Sequence, residues 1–593
     1  MDFGKVLLMR SLLVSSPLFE GAVSEADRGS TQNKALPHII LHNSPPEKGL
    51  SFGLSVLVIS SLICYTKAVN TLLGKRGTDM TREQLCIMIA IVLYLGFMLY
   101  LGARYSKSTK DSAQFYLGGR VLGPYVVAMS AEASDMSSWL LMGLPGVAYF
   151  SGICEPFWTA LGLGVGTYLN WLIVAKRLRY YSEEIHAVTI PSFFHKRFGN
   201  NPVLLVVSAA VIVTFFIPYT ASGFNACGTL FSSLFGIGYF QAMLVSAIVI
   251  VAYTAMGGFN AASTTDFIQS IVMSIALMIV LCFGLSVAGG TAQVSGHVSS
   301  LNGYLSLTNA FDPASGSAVS YGGVLGIVST LAWGLGYFGM PHILLRFMAI
   351  RDPEEIKVSR RVGTVWVFIA MTVAVCIGMI GLTMTQVGAI GDLAVNGTTS
   401  SQRVIIEIAN LLATHGVLPA LLAGVVMAGI LACTMSTCDS QLLAAASSVS
   451  EDLLQGVFKL DLSIGSSLVI ARVTLLLIAA GAAFWAREEG SVFTIVSFAW
   501  AGFGAAFGPV MLCALFWKRT NAAGAIAGML GGGVMVFVWK YMIAPMGGVL
   551  AIYELFPAFV TGLVLTVVVS LLTPAPAPAV TAAFDHVAAK CGK

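Results

Sequence analysis

Residues 130–139 read SAEASDMSSW, between the apolar runs VLGPYVVAM (121–129) and LLMGLPGVAYF (140–150). Glu132, Asp135 and a cluster of serine hydroxyls therefore lie inside a segment long enough to cross a bilayer. An ionised group at bilayer depth is costly and marks an ion path, a proton relay or a ligand site. Two other stretches share this character. WGLGYFGMPH (333–342) sets glycines and a proline among aromatic rings, and ACTMSTCDSQ (432–441) is dense in hydroxyls around Asp439. Glycine and proline weaken a helix and free backbone groups, which must then find partners inside protein or beside a watery cavity. Carbonyls of an unwound turn can face a cation instead.

The rest of the chain must hold these groups in a membrane. Its 593 residues are 56% hydrophobic and 10% charged, with mean hydropathy +0.84. A soluble domain carries about a quarter charged residues. Apolar runs near the length of a membrane helix recur along the chain, so an all-α polytopic membrane protein is expected. The formal charge of +4 comes without a basic stripe or finger spacing, which argues against nucleic acid. The ten cysteines form no CxxC pair, so neither a disulfide framework nor a metal centre is indicated.

Apolar runs and their breakers give thirteen core spans, at 84–104, 121–150, 152–175, 202–231, 238–257, 262–289, 321–348, 362–388, 416–448, 465–485, 489–514, 521–541 and 549–572. Lys and Arg cluster after spans 1, 3, 7 and 11, whereas the loop 290–320 after span 6 has none. Positive-inside bias then puts the ends of odd-numbered spans and the tail 574–593 in the cytoplasm, and the start of span 1 outside. Spans 2, 7 and 9 carry the three unusual stretches and are expected to be interrupted. Spans 2–6 and 7–11 are two units of five helices, each opening on a broken one. Five is odd, so the units have opposite topology, the pattern of inverted-repeat secondary transporters.

With YLGGRVLGP (116–124), SAEASDMSSWLLMGLPG (130–146), WGLGYFGMPHILLRFMAI (333–350) and MSTCDSQLLAAASSVSEDL (435–453) in this order, residues 80–575 resemble the sodium/solute symporter family. The resemblance implies a LeuT-type fold of 5+5 helices with outer helices, working as a monomer, and sodium-coupled uptake of L-proline. It implies a sodium site built from the carbonyls of Ala133, Met136 and Cys433 and the hydroxyls of Ser436 and Thr437. Cys433 lies one helical turn before Thr437, so one face can present all three residues of that stretch. Asp135 would supply negative charge, Ser130 and Ser137 would support binding and coupling, and Asp266 would lie on the ion's inward exit. Ser137, Trp139, Tyr219, Trp333, Tyr337 and Pro341 would receive the solute, aromatic faces suiting a pyrrolidine ring and its ammonium. Four positions depart from the family pattern. Glu132 and Ser138 stand where glycine is expected, Met340 where glutamine is, and Cys433 where alanine is. Glu132 keeps proton coupling open.

Other readings compete at each position. Asp135 could be a buried carboxylate paired to a base, and hydroxyls in membrane helices usually bond backbone. Trp333 and Tyr337 could be packing or interfacial residues. Glu155 and Arg346, near span ends, read as structural; Asp439 is left between roles, and Glu451-Asp452 reads as a solvated helix end. A symporter for another amino or organic acid is the nearest alternative function. An intramembrane enzyme lacks converging catalytic carboxylates in a known motif, and a channel would show no coupling.

Residues 80–573 are expected to form the transport domain, with repeats at 121–289 and 321–514. Residues 1–79 fit poorly: their apolar run, 49–65, would place basic flanks outside. They read as a disordered extension or a start upstream of the native one, Met80 leading cleanly into span 1. Mass spectrometry of the native protein is expected to find no peptide from before Met80; one such N-terminal peptide refutes this.

Overall fold

A computed structural model describes residues 80–106, 116–255, 258–395, 397–460 and 463–592. The expected extension at 1–79 lies outside the described residues. Helix α1 (Arg82–Ser106) opens on a reciprocal cap. The Thr81 amide donates to Gln84 Oε1 at 3.2 Å, and the Gln84 amide to Thr81 Oγ1 at 3.3 Å. Helix α2 (Pro124–Ser138) starts on a proline, whose missing N–H costs nothing in a first turn. It breaks at Ser137 (φ 46°, ψ −170°), widens through the π turn Trp139–Gly143 and resumes as α3 (Leu144–Ser151). Helix α4 (Cys154–Leu169) continues through the π segment Asn170–Ala175 into α5 (Lys176–Glu184). Short α6 (Ile190–Arg197) leads to α7 (Pro202–Phe235), α8 (Tyr239–Thr254) and α9 (Phe259–Val287).

The lysine- and arginine-free loop holds α10 (Gly290–Ser300) and a hairpin, β1 (Asn309–Asp312) against β2 (Ser317–Ser320), with Asn309 opposite Ser320. Helix α11 (Gly323–Leu331) tightens into the 3₁₀ segment Ala332–Gly339, extends at Met340 and restarts, bent by 49°, as α12 (Pro341–Ala349). Then come α13 (Ile356–Gln386), α14 (Val404–Ala413), α15 (Val417–Ser447), α16 (Ile464–Trp485) and α17 (Val492–Phe516). Helices α18 (Ala522–Val538), α19 (Leu555–Leu572) and α20 (Pro578–Cys591) complete the chain.

Each of the thirteen apolar runs coincides with a helix or a broken helix. Among the described residues nine helices are long and apolar enough to cross a membrane, ten with the bent α11–α12 pair. Helices α8 and α16 are shorter apolar helices, and α2–α3 is diluted by its polar centre.

Two expectations need correction. Span 9 is not interrupted at 432–441: α15 is continuous there, and the next irregularity is the π segment Ser448–Val457. The reason is local. That stretch has no glycine or proline, and its hydroxyls bond back to carbonyls one turn earlier, Thr434 to Ile430 at 2.9 Å and Ser440 to Ser436 at 2.8 Å. Asp452 is not solvated either; it is buried and accepts the Thr189 hydroxyl at 2.7 Å, tying α15's extension to the start of α6. The tail, in turn, is a docked helix. Phe584 is buried with the guanidinium groups of Arg177 and Arg197 4.9 and 5.3 Å from its ring, and Lys590 and His586 bond Glu184 at 3.0 and 2.8 Å.

The two breaks are covered crosswise. Helix α4, second of the first repeat, lays Gly162 and Gly166 on α11 and its 3₁₀ turn, and a Cβ at Gly162 would meet the Leu331 carbonyl at 2.6 Å. Helix α13, second of the other repeat, lays Gly378 on α3 just past the break, where a Cβ would meet the Pro145 carbonyl at 2.5 Å. Small residues let backbones approach this closely where no hydrophobic force drives helices together. Gly166→Ala, which would drive a methyl into Gly334, should lower stability by about 1–3 kcal/mol. Gly96→Ala, with open space around it, should not. Thermal unfolding in detergent compares the two.

Candidate functional site

At the α2–α3 break freed backbone groups find partners both within the break and from other helices. The φ of Ser137 lies in the left-handed range, a strain of about 1–3 kcal/mol that the surroundings must hold. The Trp139 amide donates to the carbonyls of Met136 and Ser137, with Ser137 Oγ 3.1 Å away. The Tyr219 hydroxyl, from α7, donates to the Asp135 carbonyl at 3.2 Å. The Ser436 hydroxyl, from α15, donates to the Ala133 carbonyl at 2.8 Å and lies 3.2 Å from the Cys433 carbonyl. Thr437 donates to that same carbonyl at 3.1 Å. Four neutral oxygens thus converge between α2 and α15: the carbonyls of Ala133 and Cys433 and the hydroxyls of Ser436 and Thr437. The Met136 carbonyl stays at the break, engaged by Trp139. The Cys433 thiol turns away to Ile430, so its presence costs the cluster nothing. Among the described residues no group of three or more His, Cys, Asp or Glu converges to hold a metal.

Beside this cluster lies a small cavity, with room for about one water, lined by Asp135, Met136, Trp139, Leu163, Tyr219, Trp333, Val496 and Trp500. Trp139 and Trp333 meet at 5.7 Å between centroids, and Phe493 packs on them at 5.9 and 5.5 Å. Trp139, Tyr219 and Trp333 line this cavity. Tyr337 stands one bond behind, its hydroxyl donating to the Asp135 carboxylate, and Ser137 caps the break. Pro341 begins α12 and, with Met340, is buried outside the lining. Leu163, Val496 and Trp500 were not singled out from sequence. The small-residue run around Trp500, AWAGFGAAFG (499–508), was the available signal for a close-packed aromatic.

A second polar cluster joins α2, α9, α12 and α15. Asp266 and Arg346, 0% and 1% exposed, pair at 3.0 Å. Ser130 donates to the same Asp266 oxygen at 2.7 Å and accepts from Arg346 Nε at 3.1 Å. Arg346 also donates to the His342 carbonyl at 2.7 Å and to Ser440, whose hydroxyl lies 3.2 Å from Asp439. Arg346 is thus structural, as read, but central to the fold's polar interior. Glu132 faces elsewhere: the Trp171 indole donates to it at 2.9 Å and Thr167 lies at 3.5 Å, both on the α4 side.

Two crosswise-covered broken helices, a cation-suited oxygen cluster and an adjoining aromatic cavity define a LeuT-type secondary transporter of the membrane. A family model described as the sodium:solute symporter family matches residues 115–532. A sodium/proline symporter of Haemophilus influenzae is 40% identical over 84% of this chain and 97% of its own length. The high-affinity proline transporter PutP of Bacillus subtilis is 40% identical over 82% and 98%. A solved Na⁺-coupled sialic acid symporter, in a substrate-bound outward-open state, superposes with TM-score 0.67 at 17% identity, over 83% of this chain and 99% of that one. The chain belongs to the sodium:solute symporter family, and sodium is its coupling ion.

Removing one partner of a buried ion pair strands the other. Arg346→Gln should cost about 3–5 kcal/mol, and adding Asp266→Asn should recover most of it; thermal unfolding of both variants checks this.

Proposed function

We propose that the chain carries L-proline into the bacterial cell with sodium, by alternating access across the plasma membrane. The observation that supports it most is the shared seat of ion and solute. Ala133 and Asp135 are two residues apart on one break, the first with its carbonyl among the sodium oxygens, the second lining the cavity. Sodium would replace the hydroxyl bonds of Ser436 and Thr437 among the four oxygens, with Met136 contributing when the break loosens. The negative charge of Asp135 would favour the cation without ligating it. The solute ring would lie against Trp139, Trp333 and Tyr219, with Tyr337 and Pro341 shaping the second break and Ser137 the first. The proline-transporter names of the relatives support the solute.

Sodium binding would stabilise the outward-open form, the solute would then close it, and the ion would leave inward past Ser130 and Asp266. Such coupling is reciprocal: each ligand raises the affinity for the other by the same factor. Membrane potential adds about 2.3 kcal/mol per charge per 100 mV. The contacts of Glu132 favour a positioning role over proton coupling. The basic loops and α20 would face the cytoplasm, with residues 80–573 as the transport domain, 574–593 as its tail and 1–79 outside it.

Labelled L-proline uptake into proteoliposomes tests the reading. An inward sodium gradient should drive accumulation that excess unlabelled proline blocks. Ser436→Ala and Thr437→Ala should each raise half-saturating sodium by about tenfold, some 1.4 kcal/mol, and Asp135→Asn should abolish sodium activation. Uptake driven only by protons, or none from folded protein, overturns it.

A further inference from the structure

One aromatic wall of the cavity is held on both its polar edge and its ring faces. Trp500, on α17, is 2% exposed. Its indole N–H donates to the Trp333 carbonyl, in the 3₁₀ turn, at 2.8 Å. Its ring meets Tyr337 edge-on at 5.1 Å and tilts against Trp333 at 6.4 Å. Behind it the backbone presses close: a Cβ at Gly336 would collide with the indole, and a Cβ at Gly504 would reach Gly336 Cα at 2.8 Å. The indole can neither rotate nor retreat. Leu163 and Val496, the aliphatic lining residues, have no such polar anchor.

We infer that Trp500 sets the upper ring size of the solute, its plane acting as the fixed wall against which a cyclic amino acid is measured. The inference rests on the proposed proline site and adds a specificity-determining residue to it. A rigid wall rejects one additional methylene by overlap, whereas a yielding one accommodates it. In apolar pockets a single methylene is worth about 10–200-fold in discrimination.

The test is inhibition of sodium-driven L-proline uptake by L-azetidine-2-carboxylate and L-pipecolate, the four- and six-membered ring analogues. Wild-type protein should be inhibited by the smaller ring far better than by the larger. In Trp500→Leu the ratio of half-inhibitory pipecolate to proline concentrations should fall by about tenfold or more. Trp500→Phe keeps an aromatic wall and loses the N–H; it should weaken all three ligands together and hold the ratio. Half-saturating sodium, measured at saturating proline so that coupling does not carry the solute effect over, should move far less than the ratio in the Leu variant, separating pocket size from damage to the ion site. Should Trp500→Leu not fold, Trp500→Met makes the same comparison. An unmoved ratio in the Leu or Met variant overturns the inference, as does a Phe variant that shifts the ratio equally. Wild-type protein that accumulates no proline overturns the solute assignment and this inference with it. Proline accumulation with an unmoved ratio overturns the role of Trp500 alone.

Discussion

Every feature of the site follows from one constraint: a backbone group released from a helix inside a membrane protein must be met by another polar group. The two broken helices release several. The partners come from α4, α7, α15 and α17, with Asn170 meeting the Tyr337 carbonyl at 3.0 Å and Trp500 the Trp333 carbonyl at 2.8 Å. Those same helices therefore fix where the breaks lie, and the breaks fix where carbonyls are available for a cation. Satisfaction of the backbone and construction of the binding site are the same set of contacts.

The Asp135 carboxylate joins the two breaks. It belongs to the first and accepts the Tyr337 hydroxyl of the second. A change at the ion oxygens around Ala133 is thereby felt, through two residues of backbone and one hydrogen bond, at the 3₁₀ turn that borders the solute cavity. The Asp266–Arg346 pair is kept apart from this link, on the α9 and α12 side, where Ser130 is its contact with α2. Ionic interior and binding interior touch along α2 without merging.

Much of this was legible in the chain. Span positions and the break in WGLGYFGMPH follow from apolar length and from glycine and proline, which act locally; that span 2 is interrupted was legible too, though its break falls at Ser137, ahead of Gly143 and Pro145. Ser436 and Thr437 were legible as hydroxyls, but whether they interrupt their helix was not, because back-bonding to the previous turn leaves no compositional trace. Arg346 looked peripheral since sequence distance to a span end says nothing of depth in a bent helix. Asp439 became readable only through its neighbour Ser440 and the bond that Arg346 makes to Ser440 across 94 residues. Trp500 was one aromatic in an apolar run, and its role depends on Gly336, far away in sequence. What is set by neighbours in the chain could be read; what is set by neighbours in space could not.

The crosswise glycine contacts have a mechanical consequence. Because α4 braces the break in α11–α12 and α13 braces the break in α2–α3, neither break can shift without dragging the helix that covers the other. These helices form a single cross-braced frame that carries half of the cavity as one piece. Tyr219, Val496 and Trp500 stand on the opposite side, on α7 and α17, and so do Cys433, Ser436 and Thr437 on α15. The oxygen cluster therefore straddles a seam, one carbonyl on the frame and three groups off it. A cation seated there acts as a removable rivet through that seam.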